Sequence, residues 1–198
     1  NLSVTITCRF NRQNILTLDY EAVSDADTIV NLTNHAYWNM AGHGSGSVVG
    51  HQLQLAAGVM TEADARNIPT GRLLPVDGTP FDFRTLTPLS FALAAGGLDH
   101  NFVSEGAGLR PVARLECHQT GIAMEVCTTL PGLQVYSAAG LTPRTGKGGA
   151  HYASSAAICL ETQFLPDAVH QPQFPSVMLR AGEMWHHRTE IRFTVEKE

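Results

Sequence analysis

Apolar residues in this chain recur at every second position, and almost nowhere at the three-to-four spacing of a helix. Leu2, Val4, Ile6 and Cys8 share one face; Leu16, Leu18 and Tyr20 share another. Ile122, Met124 and Val126 alternate with Ala123, Glu125 and Cys127, and Ile191, Phe193 and Val195 alternate with Arg192 and Thr194. Neighbouring side chains on a strand point to opposite faces, so each run reads as a half-buried strand. Gln119-Thr120-Gly121 falls between two such runs and reads as a hairpin connection. Residues 61–66 carry the one helical start signal, with Thr61 as N-cap and Asp64 three residues on, enough for a single capped turn. Turn residues break up the rest: a Gly/Ser-rich stretch at 41–50, Ile68-Pro69-Thr70-Gly71, Val76-Asp77-Gly78-Thr79-Pro80, and a second Gly-rich stretch at 140–150. Many strands with turns at short spacing predict an all-β fold, an antiparallel sandwich or barrel. No linker divides two cores and no internal repeat is present, so residues 1–198 are expected to form a single domain.

Composition narrows the partners. A hydrophobic content of 43% is enough for a sizeable core. Net charge is −5 and the 13 Lys and Arg residues are scattered, so no nucleic acid is expected as a partner. No apolar run approaches the length of a membrane span, so no membrane is expected either. Cys8, Cys117, Cys127 and Cys159 include no Cys-x-x-Cys pair and no zinc-like spacing. Each is flanked by strand-type residues and is expected to be reduced and buried as a small hydrophobe, which fits a cytoplasmic location. The chain opens at Asn1 in what reads as a strand already under way.

Four residues draw attention as chemistry. His35 follows an apolar strand-like run and has Asn34, Tyr37 and Asn39 around it. Uncharged hydrogen-bonding groups suit sugar hydroxyls, and an aromatic can lie against the apolar face of a sugar ring. Local context by itself favours a structural histidine that satisfies backbone groups. Glu161 interrupts the apolar run Ala156-Ala157-Ile158-Cys159-Leu160, where a carboxylate is costly unless it is paired or functional; an ion pair with a buried Arg is the alternative. Asp99 follows Gly96-Gly97 and either accepts hydroxyl protons or closes a turn. Gln134 can donate and accept to a hydroxyl, or be an exposed strand residue. Other patterns fail. The glycines at 140–147 are spaced one residue too long for a P-loop, and Gly148 stands where Ser or Thr is required. Ser45 and Ser47 make no Gly-x-Ser-x-Gly elbow. His186 and His187 are adjacent on a strand and face opposite ways, so one metal rarely takes both.

Five segments, in order along nearly the whole chain, resemble the aldose 1-epimerase (galactose mutarotase) family. They are Asn31-Leu32-Thr33-Asn34-His35-Ala36-Tyr37-Trp38-Asn39, the central turns at Ile68-Pro69-Thr70-Gly71 and Thr79-Pro80-Phe81-Asp82-Phe83-Arg84, Leu98-Asp99-His100-Asn101-Phe102, Pro131-Gly132-Leu133-Gln134-Val135-Tyr136, and Cys159-Leu160-Glu161-Thr162-Gln163 with Pro166-Asp167-Ala168 and Phe174-Pro175-Ser176 behind it. The resemblance implies the family's large antiparallel β-sandwich, here its C-terminal portion, truncated at the N-terminus. It implies His35 as general acid and Glu161 as general base, with Tyr37, Asp99 and Gln134 binding the substrate. The pair is expected to point into one cleft with room for a hexose between them. The implied reaction interconverts the α and β anomers of an aldohexose such as galactose or glucose, with no cofactor and no metal. The alternative is a non-catalytic sugar-binding or incomplete mutarotase-like fragment.

The chain also departs from the family pattern. Nothing before His35 matches the family's N-terminal sugar-binding groups. Ala138-Ala139-Gly140 stands where Gly-Asn-aromatic is usual, and Ala181 where Pro is usual. An open sheet edge and an apolar patch are therefore expected, with self-association or pairing to an N-terminal portion there, and weak or absent activity alone.

Overall fold

A computed structural model describes residues 1–195 of the chain. Two long strands come first, Leu2–Phe10 (β1) and Ile15–Ser24 (β2), then two short ones, Thr28–Ile29 (β3) and Tyr37–Trp38 (β4). The middle of the chain supplies His51–Leu55 (β5), Val59–Ala63 (β6), Pro69–Pro75 (β7) and Thr87–Pro88 (β8), then a five-residue helix, Ser90–Ala94 (α1). Asp99–Val103 (β9), Arg110–Cys117 (β10), Ile122–Thr128 (β11) and Gly132–Tyr136 (β12) follow. The last third adds Arg144–Thr145 (β13), His151–Tyr152 (β14), Ile158–Gln163 (β15), Met178–Leu179 (β16) and Met184–Val195 (β17).

Most strands form a seven-stranded sheet, in the order β1-β2-β17-β11-β10-β5-β8, and a six-stranded sheet, in the order β4-β15-β12-β9-β6-β7, while β13 pairs with β14 and β16 with β3 in two small ladders. Neighbouring strands in both sheets run antiparallel, as in β10 with β11 and β12 with β15. The Gln119-Thr120-Gly121 hairpin sits where alternation placed it, with Cys117 paired to Ile122. Leu53, Leu55, Leu115, Met124 and Val126 of the larger sheet meet Met60, Phe102, Leu133, Val135, Ile158 and Leu160 of the smaller one in a common core. This is the antiparallel sandwich expected from the periodicity. A second cluster packs Leu18, Tyr20 and Ala22 of β2 under Phe164, Leu165, Phe174 and Trp185.

Three expectations fail, each for a physical reason. Residues 61–66 are not a capped turn: Val59–Ala63 is strand β6, paired to β7. Its core face carries Met60, paired to Phe102, and Asp64 turns the chain by accepting the N–H groups of Arg66 and Ile68. Strand β1 is not half-buried. Among the described residues it pairs only with β2, at the sheet edge, and Leu2, Val4 and Ile6 are 44%, 41% and 50% exposed. The second cluster covers β2 but stops short of β1. Cysteine burial also divides: Cys117 and Cys159 are buried, Cys127 is half-buried, and Cys8 lies exposed on β1, although all four are free. No helix among the described residues is long and apolar enough to cross a membrane.

Candidate active site

Strands β15, β12 and β9 lie side by side, and alternation divides their side chains between two faces. Ile158, Leu160, Leu133, Val135 and Phe102 go to the core. The intervening residues go to the other face in two rows, fixed by register: Glu161 beside Gln134 beside Asn101, and Cys159 beside Tyr136 beside Asp99. Strand order and a period of two thus bring Glu161, Gln134 and Asp99 together from three distant segments.

His35 reaches the same face from the segment before β4. Tyr37 pairs with Cys159 across the β4–β15 ladder. Extending that antiparallel register by two residues sets His35 opposite Glu161, and its Nε2 lies 3.4 Å from Glu161 Oε1. The ladder is only two residues long, and asparagine side chains secure the segment at both ends. Asn31 donates to the Phe164 carbonyl at 3.1 Å and accepts the Phe164 N–H at 2.9 Å. Asn39 donates to the carbonyls of Ala156 and Gly46, both at 2.9 Å. Asn34 accepts the Ala36 N–H at 3.2 Å. Asn39 therefore holds backbone in place with both ends of its amide, and Asn34 does so with its oxygen.

The histidine ring is set between aromatics. It stacks on Tyr37 with centroids 5.2 Å apart and meets the Tyr136 ring edge-on at 6.2 Å. Gln134 donates from Nε2 to Asp99 Oδ1 at 2.7 Å, so each orients the other. In front of these groups opens a cleft of roughly 1010 Å³, with Thr61, Phe81, Gly97, Asn101 and Gln163 among its walls. That is ample for a small polar ligand, since such sites usually measure about 300–1,000 Å³. Tyr37 borders the cleft through its ring contacts and lines a neighbouring apolar hollow of about 770 Å³ with Trp38, Tyr152 and Phe193. His35 and Glu161 stand side by side at the cleft floor, not on opposite sides of a hexose-sized gap.

Burial is the main cause that raises the Glu161 carboxyl above the ordinary carboxylate range; the Asp99 charge raises it further, and His35 opposes both. Among the described residues no arginine pairs with it; the group it faces is the His35 imidazole. Burial, with the Glu161 charge, pushes the Cys159 thiol up to about 12, so it stays neutral. Burial also raises the Tyr37 phenol. A buried carboxylate of raised basicity beside an imidazole can take a proton from one atom while the imidazole gives one to its neighbour.

Three residues of this face escaped the sequence reading: Tyr136, Asn101 and Cys159. Each lies two positions from a residue that was singled out, Tyr136 from Gln134, Asn101 from Asp99 and Cys159 from Glu161. The period of two, applied to the site residues themselves, was the available signal. Of the other histidines, His51 is buried and accepts the Met40 N–H at 3.0 Å, a structural role. His187 contacts Phe164 and Trp185, while His186 faces Asp19, on opposite sides of β17.

The aldose 1-epimerase family profile matches residues 1–192. Galactose mutarotase of Mus musculus is 42% identical over 185 residues, which cover 91% of this chain and 54% of that protein. Aldose 1-epimerase of Escherichia coli K12 is 33% identical over 207 residues, covering 99% and 60%. Among solved structures, an aldose epimerase homologue from C. elegans superposes with a TM-score of 0.92 at 29% identity, covering 99% of this chain and 61% of that one. Galactose 1-epimerase from Lactobacillus acidophilus does so with a TM-score of 0.84 at 26% identity, covering 100% and 58%. The chain thus spans little more than half the length of these relatives.

Proposed function

The chain belongs to the aldose 1-epimerase family, and from that premise we propose that its cleft interconverts the α and β anomers of an aldohexose such as galactose or glucose. Glu161, as carboxylate, takes the proton of the anomeric hydroxyl. His35, protonated, gives a proton to the ring oxygen as the bond from that oxygen to C1 breaks. The open aldehyde turns about its C1–C2 bond and closes on its other face, with the two residues exchanging roles. Two protons move and no electrons do, so the chemistry asks for no redox group.

The observation that carries this reading is the 3.4 Å separation of His35 Nε2 and Glu161 Oε1 at the cleft floor. The hydroxyl and ring oxygens are both bonded to C1, so the acid and the base must stand side by side, within hydrogen-bond reach of neighbouring atoms. The mutually bonded Asp99 and Gln134 offer an acceptor and an amide to ring hydroxyls, and Tyr37 and Tyr136 offer faces and edges to its apolar side. Holding the ring while it opens is the positioning part of the rate.

Polarimetry of freshly dissolved α-galactose tests the assignment. Glu161→Gln and His35→Ala should each lower the catalysed rate by roughly 10²–10⁴-fold, the usual worth of one proton-transfer group. Undiminished rates in Glu161→Gln would remove the base assignment. Saturable galactose binding with no rate above the uncatalysed one would make the chain a sugar-binding module instead.

A further inference from the structure

Behind the acid–base pair, which lines the cleft, lies a buried thiol that the proton transfers do not use. One ligand atom each from His35, Cys159 and Glu161 lies within 4.8 Å of the other two, the only such trio among the described residues. Cys159 and Glu161 are buried. Cys159 has no part in the ring-opening chemistry, yet strand pairing fixes it directly beside the two groups that do. It is two residues from Glu161 on the same face of β15 and is paired through its backbone to Tyr37.

We propose that His35, Cys159 and Glu161 form a three-ligand site for a soft divalent cation of the Zn²⁺ type, whose binding silences the acid–base pair. The spacing fits. Nitrogen and oxygen donors at about 2.0–2.1 Å from a tetrahedral zinc stand about 3.4 Å apart, and Nε2 and Oε1 are 3.4 Å apart here. A sulfur at about 2.3 Å from the same ion stands about 3.6 Å from its fellow ligands, and the three donor atoms lie within 4.8 Å of one another here. The Tyr37 stack already holds the His35 ring in place. Thiolate and imidazole favour zinc-like ions over Mg²⁺ or Ca²⁺, which collect oxygens.

On binding, Cys159 releases its proton to water, Glu161 binds as carboxylate and His35 as neutral imidazole. Two negative ligands then balance the charge of the ion. Three protein ligands leave a fourth position facing the cleft, the arrangement of an exchangeable zinc site rather than a closed structural one. The lone pairs that the reaction needs on Glu161 and His35 are the ones given to the metal, so the ion and the reaction exclude each other.

The test uses chelator-treated chain titrated with Co²⁺, read by its thiolate-to-cobalt charge-transfer absorption, with displacement by Zn²⁺. One Co²⁺ per chain is expected. Cys159→Ser should abolish the band and weaken Co²⁺ binding by more than about tenfold, the least that even an outer-shell loss costs a metal site. Glu161→Gln should weaken it likewise, and serves alone if Cys159→Ser does not fold by circular dichroism. Cys8→Ser, at an exposed thiol on β1, should change nothing. A band that survives Cys159→Ser, a band lost in Cys8→Ser, undiminished affinity in Glu161→Gln, or no saturable binding overturns the site. None of these readouts needs mutarotase activity, so failure of the ring-opening reading leaves the result interpretable.

Discussion

Replacing Gly97 by alanine should cost far more than replacing its neighbour Gly96, and the difference reports how tightly the base of the cleft is built. Gly97 has φ +96°, where a side chain is strained. A Cβ there would sit 2.6 Å from Ala139 Cβ and 2.9 Å from Ser137 Oγ, against an ordinary carbon contact of about 3.5–4.0 Å. Neither neighbour can yield cheaply. Ser137 is fully buried, and its Oγ accepts the buried Leu98 N–H at 2.8 Å. The left-handed backbone costs a non-glycine residue about 1–2 kcal/mol, and overpacking typically adds about 1–3 kcal/mol. Gly97→Ala should therefore lose about 2–5 kcal/mol, a large share of a domain's usual stability. Gly96 has φ +109° but nothing within 4 Å of the same built atom, so Gly96→Ala should show the backbone cost alone. Urea unfolding of the two variants at equal m-values isolates the steric part. Displacing Leu98 also shifts the start of β9 and with it the 2.7 Å bond between Gln134 and Asp99, so sugar affinity should fall in Gly97→Ala first. Equal losses in the two variants, within about 0.5 kcal/mol, the usual scatter of harmless changes, would refute this account of the contact.

Burial and Asp99 raise the Glu161 carboxyl, so the acid limb of the rate in chelator-treated protein should lie above the ordinary value of about 4.3, and Asp99→Asn should move it down; a stationary limb would contradict the coupling. The same shift works against folding: the protonated carboxyl's contribution is complete below its unfolded value and is lost as pH rises through the folded one, so Glu161→Gln should raise the urea midpoint at neutral pH and not in acid. Arg110 donates to five carbonyls, those of Glu105, Gly108, Thr128, Ser104 and Leu130. Arg110→Ala should cost about 1–3 kcal/mol in chemical unfolding by leaving the part-buried carbonyls of Ser104, Thr128 and Leu130 without this donor, and Arg110→Lys should recover less than half, since one ammonium cannot span the fork's reach. Strand β1 leaves one sheet edge unpaired with Leu2, Val4 and Ile6 exposed, so sedimentation should show association that Ile6→Lys reduces; a monodisperse wild-type monomer at high concentration would rule it out.

Alternation of apolar residues marked β1, β2, β11 and β17 and gave each side chain one of two faces, because a period of two leaves only two directions; the short turns between strands called for antiparallel pairing. Alternation placed the hairpin between β10 and β11, while the continuous apolar run at 156–160 marked Glu161 as a carboxylate on a buried strand. Motif order along the chain singled out His35, Glu161, Asp99, Gln134 and Tyr37 before any of them had a position in space. Only tertiary structure decided what stands next to what. Residues 61–66 carry a capping signal, yet the strand wins because Met60 is needed in the core opposite Phe102. Strand β1 alternates as regularly as β2, yet stays exposed, because burial depends on what lies across the sheet and not on the strand itself. Asn31 and Asn39 read as polar motif residues, and only the β4–β15 junction shows them completing a ladder two residues long. The 3.4 Å meeting of His35 with Glu161 follows from one register, Tyr37 opposite Cys159. Register is a property of two segments at once, and a slip of one residue in that ladder would turn His35 and Tyr37 away from the face that carries Glu161.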